Sequence, residues 1–300
     1  MDNIMLRLLA GALGVLLAGQ AVAGPALSDI LKASPTADWQ PLDPENTLYL
    51  DLPAGRVVIL LAPTFAPRHI ENIKKLVRSG YFDGLAIMRV QDNYVVQWGD
   101  ADAKRSLGKA AAKLQPEFDR RFSFRSPFTP APDPDVYAPQ SGFVDGFAVA
   151  RDAKRGRAWL THCYGAVGVG RDNAVDSGNG AELYAVIGNA PRQLDRNVTL
   201  VGRVVLGMER LSALPRGTGD LGFYETPGER IPIIAMKLAA DTPATERTAL
   251  EALRTNSKTF AALIYNRRFR QDEWYKTPAG HIDLCNLPLP VRPISKSKTG

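Results

Sequence analysis

The chain has 300 residues, 45% of them hydrophobic and 23% charged, with a formal net charge of +6. Such a length suits one large domain with additions, or two small domains, around a core of useful size. The positive charge does not gather into a long basic run. Its densest patches, RDAKRGR at 151–157 and YNRRFRQ at 265–271, read as solvated surface, so nucleic acid is not an expected partner.

The first segment reads as a cleaved secretory signal. Arg7 precedes an apolar run from Leu8 to Ala18, and Ala21-Val22-Ala23 fits the small-x-small rule for cleavage. The run is too short for a bilayer span, and no later segment approaches the roughly 20 apolar residues that a span needs. Residues 1–23 are therefore expected to be removed. The mature chain is then expected in the periplasm or outside the cell, with no stable membrane association.

Residues 24–46 are punctuated by proline and read as an N-terminal arm with one short helix at Leu27–Lys32. Thr47–Asp51 and Arg56–Leu61 read as a hairpin across the turn Leu52-Pro53-Ala54-Gly55. Pro67 opens a helix to about Ser79, with Ile70, Ile73, Leu76 and Val77 spaced for one buried face and Gly80 as its stop. Leu85–Val90 and Tyr94–Trp98 read as strands joined by Gln91-Asp92-Asn93.

From Ala101 to Arg157 the periodicity fades, and Ser126–Gln140 holds five prolines, so this stretch reads as a long irregular insertion. Asp133 and Asp135 within it are expected to be solvated. Strands are expected at Ala158–Tyr164, Glu182–Ile187, Thr199–Leu206 and Ile231–Leu238, with a Gly-rich bend at Gly165–Gly180. Thr242-Pro243 reads as the start of a helix whose stripe Leu250, Leu253, Phe260 and Ile264 runs to about Arg268, followed by a frayed tail from Pro288. Many short strands with an early and a late helix make a mainly β protein, a barrel or sandwich with a few helices.

Two cysteines, Cys163 and Cys285, leave two readings open: a disulfide closing a very long loop, or separate thiols. They form no CxxC pair, and His69, His162 and His281 lack metal-ligand spacing, so neither metal nor cofactor is expected. There is no G-x-S-x-G and no H-E-x-x-H. The Gly-rich turn Gly165–Gly170 has no βαβ context and is weak evidence for a dinucleotide site.

The most informative block is GYFDGLAIMRVQDNYVVQWGD, Gly80 to Asp100, which combines Arg89, Tyr94 and Gln97 without a nucleophile, a His or neighbouring carboxylates. Such parts bind and polarise; they do not cleave. Period-2 alternation puts Leu85, Ile87 and Arg89 on one face and Ala86, Met88 and Val90 on the other. A guanidinium on an apolar face is explained either by a salt bridge to Asp92 or Asp100, or by an apolar cleft with Arg89 at its edge.

This block resembles the cyclophilin family of peptidyl-prolyl isomerases. Ala66-Pro67-Arg68-His69-Ile70-Glu71-Asn72-Ile73 matches the family's helix start, and Gly80-Tyr81-Phe82-Asp83-Gly84 its turn. Arg89, Tyr94, Gln97, Gly99 and Asp100 fall at its Arg, Phe, Gln, Gly and Asp. Gly178–Tyr184 and Leu194–Val204 agree more loosely, so the resemblance covers roughly Leu48 to Leu238. It implies an eight-stranded antiparallel β-barrel capped by helices over 47–240, with the insertion at 101–157 and a C-terminal helix and tail at 241–300.

The resemblance also implies a function. Arg89 takes the catalytic role, polarising the prolyl nitrogen. Gln97, Tyr94, Tyr184 and Glu182 become substrate-binding positions, and proline-containing polypeptides, including exported proteins that need help to fold, become the partners of a monomer. Departures are visible: Ile87-Met88 for Phe-His, Trp98 for a Gly, Val198 for a His, and Glu182 where a Gln is usual. A carboxylate at 182 accepts but cannot donate, and is placed to pair with Arg89 and restrain it. The alternative function is a catalytically weak or inactive peptide-binding or chaperone module of the same fold; a purely structural barrel, with Arg89 bridged to Asp100 or Glu182, is a third option ranked below both.

Overall fold

The computed structural model describes residues 25–123 and 125–294, so the expected signal segment at 1–23 lies outside the described residues. The largest unit is an antiparallel sheet of nine strand segments. Its order is Ile231–Pro232, Ala86–Val90, Val95–Gly99, Leu183–Val186, Ala166–Val169, Leu200–Leu206, Gly55–Leu61, Thr47–Leu52 and Ala235–Leu238. The two outer segments belong to one stretch of chain. Its first part pairs with Ala86–Val90 and its second with Thr47–Leu52, which curls the sheet round on itself into a barrel.

The helix Pro67–Arg78 packs on this sheet. Proline opens it because a missing N–H costs nothing in the first turn. Ile70, Ile73, Leu76 and Val77 are buried in the main core beside Leu50, Ile59, Phe82 and Trp98. Helix N-termini leave backbone N–H groups without internal partners. Here Glu117, from the insertion, accepts the N–H of Arg68 (3.3 Å) and of His69 (3.0 Å) and the His69 ring at 2.6 Å.

The structure departs from the sequence reading in four places. The stretch 101–157 is not irregular throughout. It carries Arg120–Arg121, Thr129–Pro130, Gln140–Val144 and Phe147–Asp152, which join Arg157–Leu160 in a five-stranded sheet. The hairpin between Gln140–Val144 and Phe147–Asp152 turns on Asp145-Gly146, with φ of 49° and 81°, the two positive values that a type I′ turn requires. Prolines dominate the flanking sequence and hide this signal. Asp133 and Asp135 are not solvated: each carboxylate is buried and paired, with Arg268 at 2.8 Å and Arg192 at 2.9 Å.

The Gly-rich bend contains a central strand, Ala166–Val169. Its Gly168 lies where a Cβ would sit 2.3 Å from the Tyr184 phenol, so the strand lacks the β-branched signature because a neighbour occupies that space. At the C-terminus, Thr242-Pro243 does not start the helix. Leu250–Leu253 is a strand between Trp39–Pro41 and Val291–Pro293, and the helix runs from Lys258 to Phe269. Ser257 caps it by accepting the Phe260 N–H (3.1 Å). Both leucines are buried, as their apolar character demands, but in sheet. The tail is not frayed through Ile294, since Val291–Pro293 completes that sheet. The N-terminal arm and the C-terminal segment thus fold together, and Cys163 and Cys285 are joined by a disulfide.

Candidate functional site

A cleft of about 950 Å³ opens on the outer face of the barrel, over Ala86–Val90, Val95–Gly99 and Leu183–Val186. Simple alternation along Ala86–Val90 would have put Ile87 and Arg89 on the same face. A β-bulge changes this: Ile87 pairs with Trp98, Arg89 pairs with Gln97, and Met88 is the extra residue. Ile87 and Val90 both enter the barrel core, while Met88 and Arg89 both line the cleft. The bulge is what aims the guanidinium.

Arg89 is held by three neutral acceptors. Nε donates to the Leu221 carbonyl (2.7 Å), one terminal nitrogen to Gln97 Oε1 (3.2 Å) and the other to Gln91 Oε1. Its Cζ lies 5.5 Å from the Tyr94 ring centre and 5.1 Å from that of Phe223. Among the described residues no carboxylate pairs with it. The partners considered for it are engaged elsewhere: Asp92 with Arg216 (2.8 Å), Asp100 with the N–H groups of Asp102 (3.2 Å) and Arg105 (2.5 Å). Burial pushes the Arg89 guanidinium below its ordinary value, yet an arginine keeps its charge. Of about five guanidinium N–H donors, three are engaged, which leaves one on each terminal nitrogen for a ligand.

Glu182 does not reach Arg89. Its Oε2 accepts from Gln97 Nε2 at 2.9 Å, so the carboxylate acts on the arginine through the amide between them. Burial raises the Glu182 carboxyl above its usual range, against the Gln97 hydrogen bond, and the charges of Asp172 and Asp100 add to the rise. Gly99, next to Gln97's strand partner network, has φ 153°, and a Cβ there would meet the Ala181 carbonyl and Glu182 Cγ at 2.8 Å. Only glycine lets these strands close enough for the Gln97–Glu182 bond.

Tyr94, Tyr184 and Val198 form the apolar wall. Tyr184 is nearly buried, and its hydroxyl lies 2.9 Å from His162 Nε2. Four residues escaped the sequence reading. Leu221 and Phe223 come from a segment crowded with Gly217, Gly219 and Gly222, whose turns run beside Arg89; that glycine density was the available signal. His162 and Arg192 carried none, because a lone His and a lone Arg match no spacing rule.

The arrangement contains a fixed cation, an amide and an aromatic wall. Ser177 at the rim donates its hydroxyl to the Ala174 carbonyl (2.7 Å) and accepts the Asp172 N–H (2.9 Å). No group of His, Cys, Asp or Glu among the described residues is arranged to hold a metal ion. A second cleft, about 470 Å³ between Phe65, Phe128, Phe147 and Thr255, also holds an arginine paired with an amide, Arg254 donating to Gln40 Oε1 at 2.7 Å.

Residues 47–238 match the family model for cyclophilin type peptidyl-prolyl cis-trans isomerases. The chain belongs to the cyclophilin family. A probable peptidyl-prolyl cis-trans isomerase of Brucella suis is 28% identical over 208 residues, covering 67% of this chain and 86% of that one. The isomerase cyp18 of Streptomyces antibioticus is 34% identical over 74 residues, 25% of this chain and 45% of that one. The crystal structure of the cyclophilin AquaCyp293 from Hirschia baltica superimposes with a TM-score of 0.68 at 25% identity, covering 85% of this chain and 92% of that one. Residues 47–238 alone cannot supply that coverage, so the likeness to this bacterial cyclophilin extends into the flanking segments. The cleft holds Arg89, Gln97 and the aromatic wall on one face, with Glu182 hydrogen-bonded to Gln97 beside them.

Proposed function

We propose that the cleft catalyses prolyl isomerisation, with Arg89 as the catalytic residue. Rotation about a peptide bond is opposed by about 18–20 kcal/mol, because the nitrogen lone pair is delocalised into the carbonyl. In the twisted state that pair is localised on nitrogen, and a donor aimed there binds the twisted form better than either planar form. The observation that carries this reading is the state of Arg89: charged, held by three neutral acceptors, and with N–H groups left over above an aromatic wall. Tyr94 and Tyr184 receive the proline ring, and Gln97 and Glu182 line the path of the substrate backbone. No cofactor enters the reaction.

The substrates are X-Pro bonds in unfolded or loop segments. The leader-like first segment supports export, and hence a role in folding exported proteins; cell fractionation with detection of the mature chain tests this. A protease-coupled assay on a proline tetrapeptide tests the chemistry. The wild type is expected to exceed the uncatalysed rate, and Arg89→Ala to fall to it. Equal rates for the two would reject the enzyme reading. A second reading, a peptide-binding module with little turnover, has one observation in its favour: Gln97 spends a donor on Glu182. Binding of the tetrapeptide without acceleration would select it.

A further inference from the structure

Behind the aromatic wall runs a buried polar chain that the chemistry above does not use. His162 is fully buried and lies on the loop after Arg157–Leu160. Its Nε2 is 2.9 Å from the Tyr184 hydroxyl, and the two rings are nearly parallel, with an interplanar angle of 9° and centres 6.4 Å apart, so they meet end to end through that bond. On the other side, Asp195 Oδ1 takes both the His162 ring Nδ1 and the His162 backbone N–H at 2.9 Å. Asp195 Oδ2 accepts from Arg192 Nε at 2.6 Å. Arg192 then grips Asp135 with both terminal nitrogens, at 2.9 and 3.2 Å. The side chains of Arg192, Asp135 and Asp195 are 3%, 3% and 6% exposed, so the chain is shielded from solvent throughout.

Every member has its partners, and each link is directional. With Nδ1 turned to a carboxylate, the His162 tautomer and ring plane are set, and Nε2 is presented at one point. The Tyr184 hydroxyl must meet it there, because the phenol is buried and an unpaired buried hydroxyl is costly. Gly168 leaves the room that this requires: a Cβ at that position would stand 2.3 Å from the Tyr184 Oη and Cζ. The far end of the chain, Asp135, belongs to the insertion and not to the barrel. The insertion therefore reaches the cleft wall through four consecutive hydrogen-bonded side chains.

We propose that His162 is a positioning residue for the prolyl pocket, fixing the Tyr184 ring through its hydroxyl while Asp195, Arg192 and Asp135 hold His162 in turn. The proposal rests on the reading of the Tyr184 wall as the proline-binding surface. The ring contacts the ligand in ground state and twisted state alike, so loosening it weakens binding more than it slows the bound reaction. Members of one chain act as a unit, and their effects do not add.

The test is a set of variants measured for kcat, KM and tetrapeptide Kd, with melting temperature alongside. Tyr184→Phe and His162→Gln are each expected to raise KM and Kd about 3–10-fold, with the loss falling on KM rather than kcat. The double variant is expected to be no worse than the poorer single one, and Asp135→Asn to move KM in the same direction. A folded Tyr184→Phe and a folded His162→Gln with KM and Kd within twofold of wild type would overturn the proposal, as would additive losses in the double variant. A lowered melting temperature alone, with KM unmoved, assigns the chain a structural role and overturns it too. If the wild type binds the peptide but does not turn it over, the enzyme reading fails while Kd still decides this proposal. If the wild type does not bind the peptide at all, both fail.

Discussion

The Gln97 amide nitrogen lies 2.9 Å from Glu182 Oε2, while its amide oxygen accepts from Arg89 at 3.2 Å. A carboxylate can only accept, so Glu182 dictates which way the amide faces. The amide oxygen is then turned to the guanidinium and helps to hold it, at the cost of a donor that would otherwise serve the substrate.

Glu182→Gln removes that constraint. The amide of Gln97 regains the freedom to donate into the cleft, and kcat/KM is expected to rise about 2–10-fold, on the scale of one hydrogen bond. The variant also tests a linkage. The folded carboxyl titrates above its unfolded value, so the native state binds the proton more tightly and wild-type stability falls as pH rises through the window above about 4.3. Glu182→Gln is expected to gain on the wild type in denaturant melts at pH 7 and to lose that advantage near pH 4. An unchanged difference across this range would refute it.

Arg89→Lys keeps the charge and loses the fork. One ammonium cannot serve the Leu221 carbonyl, Gln97 and Gln91 from the positions that the guanidinium occupies. A loss of about 10²–10³ in kcat is expected, as for other preorganised donors, with the melting temperature little changed. A lysine variant retaining a tenth or more of the activity would mean that charge alone suffices.

Glu117 joins the insertion to the barrel by capping the helix Pro67–Arg78. Burial alone would raise its carboxyl, but the His69 ring and the N–H groups of His69 and Arg68 outweigh it and hold the carboxyl below its usual value. A depressed folded value gives stability that is present above the unfolded value and is lost as pH falls through the folded one. Glu117→Gln should therefore cost about 1–3 kcal/mol at pH 7. The gap to wild type should close in acid, as chemical denaturation at pH 7 and pH 3 would reveal.

The Cys163–Cys285 bond joins positions 122 residues apart. Cross-linking so long a loop restricts the unfolded chain, and removing such a bond typically costs about 2–5 kcal/mol. Cys285→Ser is expected to lower stability by that order while leaving the barrel folded. Urea melts with and without reductant check this; reductant should bring the wild type to the variant's midpoint and leave the variant unmoved.

Much of the fold was legible from local signals. The strands Thr47–Leu52 and Gly55–Leu61, the helix Pro67–Arg78 and the strands around Arg89 carry hydrophobic periods and turn residues that act over a few neighbours. Those same residues, at fixed spacing, pointed to the family. Elsewhere one local signal masked another. Leu250 and Leu253 fit a helical stripe as well as a strand, and only Trp39–Pro41 and Val291–Pro293 on either side made them sheet.

What the chain determined by itself was the family, the barrel and the identity of the groups gathered near Arg89, because these depend on residue type and short spacing. The tertiary structure decided how they meet. A single bulge at Met88 turned Arg89 into the cleft, against the alternation that its neighbours suggested. Long-range pairing gave Glu182 to Gln97 across 85 residues instead of to Arg89, and put His162, Arg192 and Asp135 behind Tyr184. Such contacts depend on register and on backbones brought together from distant parts of the chain, and no local period encodes them.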